Sequence, residues 1–112
     1  MATLERTQDL TINYRVDGDG DTTWLLFNGA TLPLEFWDPL ARALALRDTV
    51  VRFDQRNAGA TRAQGSFSLL DTAADAAAVL EHLGLKADSV VGHAGGGRVA
   101  PGFARDYPQW GR

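Results

Sequence analysis

The sequence contains no cysteine and only two histidines among its 112 residues. Without cysteine there can be no disulfide, no thiolate nucleophile and no thiolate metal ligand. Two histidines are too few for an ordinary histidine metal cluster. We therefore expect no thiolate or histidine metal site, and nothing in the sequence calls for a cofactor.

Charge of one sign is not in large excess, because 11 basic and 14 acidic residues give a formal net charge of -3. Binding to nucleic acid or to an anionic membrane requires clustered positive charge, so neither partner is expected. No stretch approaches the ~18 consecutive apolar residues of a membrane span, and Met1–Leu10 lacks the apolar core of a signal peptide. These absences predict a cytoplasmic protein.

Four short segments have the apolar pattern of β-strands, either alternating with polar residues or continuous. They are Thr11–Val16, Trp24–Phe27, Thr49–Asp54 and Ser89–Val91. The sequence DGDGD (Asp17–Asp21) joins the first two segments and supplies glycines for a tight turn. We therefore predict that these two segments form a hairpin.

Apolar residues at helical spacing predict an amphipathic helix over Leu34–Leu46. A second helix is predicted for LLDTAADAAAVLEHLGL, with a capping box at Ser68 and Asp71 and an end at Gly84. A third runs from about Gly96 to Asp106. Strands that alternate with helices predict an α/β fold, a mostly parallel sheet with helices on both faces.

The last predicted helix is followed by only a few residues, YPQWGR. A parallel sheet normally needs further strands to cover its last crossover helix. We therefore expect residues 1–112 to form a single but incomplete domain. An uncovered sheet edge would favour association with a second chain.

A ligand site in an open α/β sheet lies beyond the carboxyl ends of the strands. Three loops follow the predicted strands at that edge, and they begin at Asn28, at Asp54 and at Gly92. The third loop, Gly92–Gly96, has the sequence GHAGG and precedes a predicted helix. Any site should be built from these three loops.

The segment GHAGG resembles the G-x-S-x-G nucleophile elbow of the α/β-hydrolase superfamily, with Ala94 where the serine belongs. Three other segments, in family order, are similar to the strand, H-G loop and following helix of that superfamily, to its FDxRGxGxS strand and loop, and to the helix before the elbow. They are LLFNGATLPLEFWDPLARAL, VVRFDQRNAGAT and FSLLDTAADAAAVLEHLGL. The resemblance implies the N-terminal portion of an α/β-hydrolase fold, related to ester and lactone hydrolases.

The resemblance also implies roles for particular residues. The backbone N–H groups of Ala30 and Gly95 would form an oxyanion hole for a small carbonyl or acyl ligand. The implied binding residues are Asn28, Gly29, Thr31 and Asp54. The family usually has histidine in place of Asn28, and Asp54 would brace its loop close to Arg56.

Two departures from the family argue against serine hydrolase activity. Ala94 cannot attack a carbonyl, and only 18 residues follow it, whereas the family places its acid and its histidine much further on. No catalytic triad can be assembled from this chain. His93 could act as a base or nucleophile, or it could pack beneath the elbow as a structural residue.

Two further interpretations stay open. The chain could be a noncatalytic domain that keeps the pocket for a small ligand or is completed by a partner. It could also be a dinucleotide-binding βαβ unit, because GHAGGG fits G-x-A-x-x-G. That fingerprint expects an acidic residue about 20 positions on, at the end of the next strand. Counting 20 positions from Gly92 reaches Arg112, where neither a strand nor an acidic residue is found.

Overall fold

The computed structural model describes residues 2–7, 10–27, 34–54, 69–92, 103 and 105–108. The strands are β1 (Ala2–Thr7), β2 (Leu10–Asp17), β3 (Thr23–Phe27), β4 (Thr49–Phe53) and β5 (Ser89–Gly92). A 3-10 helix covers Leu34–Trp37 and leads into helix α1 (Asp38–Leu44), and helix α2 covers Leu69–Leu83. Phe103, Arg105 and Asp106 are also helical, and most of the predicted third helix lies outside the described residues.

The strands form one mixed sheet in the order β1-β2-β4-β3-β5. The β3 strand pairs in parallel with β4 and with β5, whereas β2 pairs antiparallel with β1 and with β4. The predicted α/β class is confirmed, with an antiparallel pair added at one side of the parallel strands. Within the described residues, no helix has the length and apolar character that a membrane crossing requires.

The predicted hairpin between β2 and β3 is wrong, because β4 lies between these two strands. Val50 of β4 pairs with Asp17 on one side and with Trp24 on the other. The β3 strand has parallel neighbours on both sides, so no position beside it is open to β2. The glycines of the DGDGD turn pack instead against the turn after α1, where a Cβ atom at Gly20 would overlap the carbonyl oxygen of Arg47.

Strand β1 was not predicted by the apolar pattern, because Glu5 and Arg6 interrupt it. The strand forms because β2 offers it an open edge, where Leu4 pairs with Ile12 in antiparallel register. Leu4 is partly buried and packs against the core. A neighbouring strand, rather than local pattern, therefore determines this element.

The predicted helix over Leu34–Leu46 is divided into a 3-10 turn and a shorter α-helix. Pro39 lacks an N–H and is tolerated in the first turn of an α-helix, so the α-helix begins at Asp38. Helix α2 ends as predicted, because Gly84 adopts a positive φ of 70°. There the N–H of Leu85 donates to Leu80, and the N–H of Gly84 donates to Glu81, which closes a Schellman motif.

Two apolar clusters lie on opposite faces of the sheet. Leu25, Phe27, Val51 and Phe53 point towards α2, and the alternate residues Leu26 and Val50 point towards the 3-10 helix and α1. This alternation follows from the period of two in a β-strand. Helices therefore cover both faces, as the sequence predicted.

Candidate functional site

The three parallel strands end at the same edge of the sheet. Leu26 of β3 is in register with Arg52 of β4, and Phe27 is in register with Gly92 of β5. The segments that follow these strands therefore leave from neighbouring backbone positions. This is the edge at which an open α/β sheet places its ligands.

Most of the predicted site residues lie outside the residues that the structure describes. They are Asn28, Gly29, Ala30, Thr31, His93, Ala94 and Gly95. The roles given to them by the resemblance stay predictions. Asp54 is the predicted site residue that is described.

Asp54 follows directly after β4, and its side chain is buried. Its Oδ1 accepts a hydrogen bond of 2.6 Å from the backbone N–H of Leu34. Its Oδ2 accepts one of 2.8 Å from the side-chain amide of Asn13 in β2. Through these bonds, Asp54 ties the start of the 3-10 helix to β2 and β4.

Arg52 is 2% exposed and lies in β4, two residues before Asp54. Its guanidinium donates to Asp17 at 2.9 Å, to Asp38 at 2.6 Å and to the carbonyl oxygen of Leu34 at 2.9 Å. A buried cation is tolerated when it is paired and its N–H groups are satisfied. Arg52 therefore joins β2, the 3-10 helix and α1 at the edge that carries the site.

The charge of Arg52 also affects its partner Asp38. The hydrogen bond from Arg52 lowers the pKa of the Asp38 carboxyl, and the positive charges of Arg52, Arg42 and Arg15 act in the same direction. Desolvation of Asp38 raises the pKa, but the hydrogen bond and the positive charges outweigh this effect. Asp38 is therefore a carboxylate at neutral pH, as its position in the first turn of α1 favours.

Sequence reasoning missed the Arg52 and Asn13 contacts. The sequence did contain a signal for the Arg52 contacts, a single arginine inside the apolar strand TVVRF. A charged residue on a buried strand requires a partner. The pattern could not name the partners, because Asp17 and Asp38 are remote in the sequence.

A second concave region lies between β1 and α2. This cavity of about 230 Å³ is lined by Leu4, Glu5, Ala78, Glu81 and His82. The His82 ring packs edge-on against Tyr14, with 5.9 Å between the ring centroids. Among the described residues, no group of three or more histidine or carboxylate side chains could hold a metal ion.

The mixed sheet, the helices on both faces and the shared strand edge define an α/β-hydrolase architecture. The model of the alpha/beta hydrolase fold family matches residues 24–109. The chain belongs to this family, which confirms the resemblance.

Curated relatives share the sequence over most of the chain. "Putative carbamate hydrolase RutD" of Caulobacter segnis is 38% identical over 103 residues, which cover 87% of this chain and 39% of the relative. The protein of the same name in Azorhizobium caulinodans is 34% identical and is matched over 90% of this chain and 38% of its own length. The chain thus spans about two fifths of the length of these relatives.

Solved structures match the fold over nearly the whole chain. A hydrolase from Pseudomonas aeruginosa PA01 gives a TM-score of 0.89 at 27% identity, covering 99% of this chain and 43% of that one. A "putative epoxide hydrolase" from Pseudomonas aeruginosa gives a TM-score of 0.85 at 32% identity, covering 97% of this chain and 37% of that one.

Proposed function

We propose that this chain supplies the carbonyl-binding part of an α/β-hydrolase and that it is not a serine hydrolase. The N–H groups of Ala30 and Gly95 would donate to the carbonyl oxygen of the ligand and stabilise negative charge that develops there. Ala94 stands at the nucleophile position and has no atom that could attack the carbonyl carbon. The chain would therefore bind and polarise a carbonyl without forming an acyl-enzyme.

One observation carries this proposal, the register between β3 and β5. Phe27 is directly paired with Gly92. Ala30 and Gly95 each follow three residues after one member of this pair. Two N–H donors that follow at equal distances along the chain from paired positions on adjacent parallel strands can converge on one oxygen atom. Such convergence is the requirement for an oxyanion hole.

The names of the curated relatives favour a carbonyl ligand of the carbamate class. The Caulobacter and Azorhizobium relatives are named for carbamate hydrolysis. A carbamate presents the carbonyl oxygen that two N–H donors would recognise. An epoxide, which gives another relative its name, has no carbonyl group.

The binding test is a titration of the ¹⁵N-labelled chain with ethyl carbamate, followed by NMR. We expect saturable shifts at the Ala30 and Gly95 amides. As a matched control, 1-butanol has similar size but no carbonyl group and should not shift these two signals. Equal responses to both ligands would contradict the proposed oxyanion hole.

The activity test uses p-nitrophenyl acetate, which reports acyl transfer by release of p-nitrophenolate. We expect neither a burst nor turnover above the uncatalysed rate. The His93→Ala variant separates the two interpretations of His93. Any hydrolysis that is lost in this variant would mark His93 as a catalytic base or nucleophile rather than a structural residue. Hydrolysis that persists in His93→Ala would contradict the proposal, because it would show a nucleophilic activity that does not depend on this histidine.

A further inference from the structure

Two aspartates in the DGDGD turn are each followed by glycine, in Asp17–Gly18 and in Asp19–Gly20. Aspartate in this dipeptide can react with its own chain, because glycine has no side chain to hinder attack by its amide nitrogen on the aspartate Cγ. The attack closes a succinimide ring. The two dipeptides are chemically alike, so the structure around each aspartate decides how readily it reacts.

Asp17 is held through both its backbone and its carboxylate. It is the last residue of β2 and pairs with Val50 of β4. Its Oδ2 accepts hydrogen bonds of 2.9 and 3.2 Å from the guanidinium of Arg52, and its Oδ1 lies 3.2 Å from Nε of Arg15. Turning the carboxyl carbon towards the Gly18 nitrogen would break charge-assisted hydrogen bonds and disturb the strand pairing.

Asp19 has neither kind of contact. It lies between β2 and β3, and it is exposed. Within the described part of the chain, its carboxylate makes no hydrogen bond or ion pair, and the N–H of Gly20 has no backbone acceptor. The Asp19 side chain can therefore rotate until its carboxyl carbon meets the Gly20 nitrogen, without breaking a contact.

We propose that Asp19 is the site at which this turn converts to isoaspartate, and that its contacts protect Asp17 from the same reaction. The Gly20 nitrogen forms a bond to the Asp19 Cγ and gives up its proton, and a carboxyl oxygen leaves as water. Water then adds to the main-chain carbonyl carbon of Asp19 and breaks its bond to the Gly20 nitrogen. The chain now runs through Cγ, and one water molecule has been lost and one regained.

This reaction lengthens the main chain by the Cβ of Asp19 at a closely packed position. A Cβ atom at Gly20 would overlap the carbonyl oxygen of Arg47, and the Gly20 carbonyl oxygen accepts a hydrogen bond of 2.7 Å from the Thr49 hydroxyl. Thr49 is the first residue of β4. Because the longer chain cannot keep Gly20 in both contacts, we expect isoaspartate at this position to lower the stability of the fold.

The experiment incubates the folded chain at neutral pH beside the chain unfolded in guanidinium chloride, until isoaspartate has formed in the unfolded sample. Electron-transfer fragmentation of the tryptic peptide Val16–Arg42 locates the product. In the unfolded chain we expect similar amounts at Asp17 and Asp19, because the dipeptides are the same. In the folded chain we expect at least about tenfold more at Asp19 than at Asp17. Equal amounts at both positions of the folded chain, or none at Asp19, would overturn the proposal.

Asp19→Glu is the matched control, because glutamate keeps the charge but must close a larger ring. We expect incubation to leave this variant without product at position 19 and with unchanged urea unfolding. The isomerised form of the original chain, separated by ion exchange, should unfold at a lower urea concentration than the fresh chain. Unfolding of both forms at the same concentration would overturn the inferred effect on the contacts of Gly20.

Discussion

Asn13 and Asp54 are joined by two hydrogen bonds across the boundary between β2 and β4. The Asn13 side-chain amide donates to the Asp54 carboxylate at 2.8 Å, and the Asp54 N–H donates to the Asn13 carbonyl oxygen at 2.8 Å. Both residues are buried. The pair therefore connects the antiparallel side of the sheet to the edge that carries the site.

Replacing Asn13 with alanine should destabilise the fold. The variant removes a donor from a buried carboxylate, and a hydrogen bond to a charged group contributes about 1.5–3 kcal/mol. Urea unfolding measures the difference. Thr11→Ala, at an exposed position of the same strand, should change the free energy of unfolding by at most about 0.5 kcal/mol. Equal values for the two variants would show that the Asn13 contact adds no stability.

Asp38 should make stability depend on pH in the acid range. Its hydrogen bond from Arg52 lowers its pKa below the ordinary value of 3.8, so the folded protein binds fewer protons at this site than the unfolded chain. The contribution is therefore complete above the unfolded pKa and is lost as the pH falls through the folded pKa.

Urea unfolding between pH 6 and pH 2 tests this dependence. Asp38→Asn should lower stability at pH 6 and reduce its loss towards pH 2. Asp106→Asn is the control, because the pKa of Asp106 is also lowered, chiefly by its hydrogen bond from Arg105. These two residues are adjacent in sequence and exposed, so much of their interaction persists after unfolding. An equal change in acid sensitivity for both variants would contradict the role of Arg52.

Two glycines should respond differently to alanine. At Gly84 nothing lies within 4 Å of an added Cβ. The Gly84→Ala variant should therefore lower the free energy of unfolding only through the positive φ, by about 1–2 kcal/mol. At Gly20 an added Cβ would overlap the Arg47 carbonyl oxygen, a backbone atom that cannot rotate away, so we expect about 3 kcal/mol or more. Thermal or urea unfolding would contradict this account if Gly20→Ala were the milder variant.

Phe103 should contribute strongly to stability although it lies far along the chain from the other core aromatic residues. It is fully buried, and its ring centroid lies 5.8 Å from that of Phe27. Truncation of a buried phenylalanine to alanine costs about 3–5 kcal/mol. Leu46→Ala, at a position that is 85% exposed, should cost at most about 0.5 kcal/mol. If both variants unfold at the same urea concentration, Phe103 is not part of the cooperative core.

The sequence predicted the elements that carry a strong local pattern. The continuous apolar run Trp24–Phe27 is a strand buried between two helical layers, and the apolar spacing before Gly84 is a helix that ends at that glycine. The resemblance to α/β-hydrolases was also recoverable from four short segments. These features depend on residue periodicity and turn chemistry, which are local properties of the chain.

The wrong and missing predictions concern relationships between distant residues. The DGDGD turn was recognised, but not that β4 would lie between the strands on either side of it. Strand β1 has no pattern of its own and forms against the open edge of β2. Strand order depends on which edges are available after all elements pack, so a local motif cannot determine it.

The candidate site also combines features that are visible in local sequence with contacts between distant residues. The loops that follow Phe27, Phe53 and Gly92 were predicted from sequence, because strand ends and glycine turns are visible there, and the roles of the residues after Phe27 and Gly92 stay predictions. The contacts that hold Leu34 depend on Arg52, Asp54 and partners as much as 41 residues away. The sequence by itself determined the family, helix α2 and most strands, because four local segments and local periodicity carry them. Only the tertiary structure decided the strand order and the buried network around Arg52, because both depend on groups that meet only when the sheet has formed.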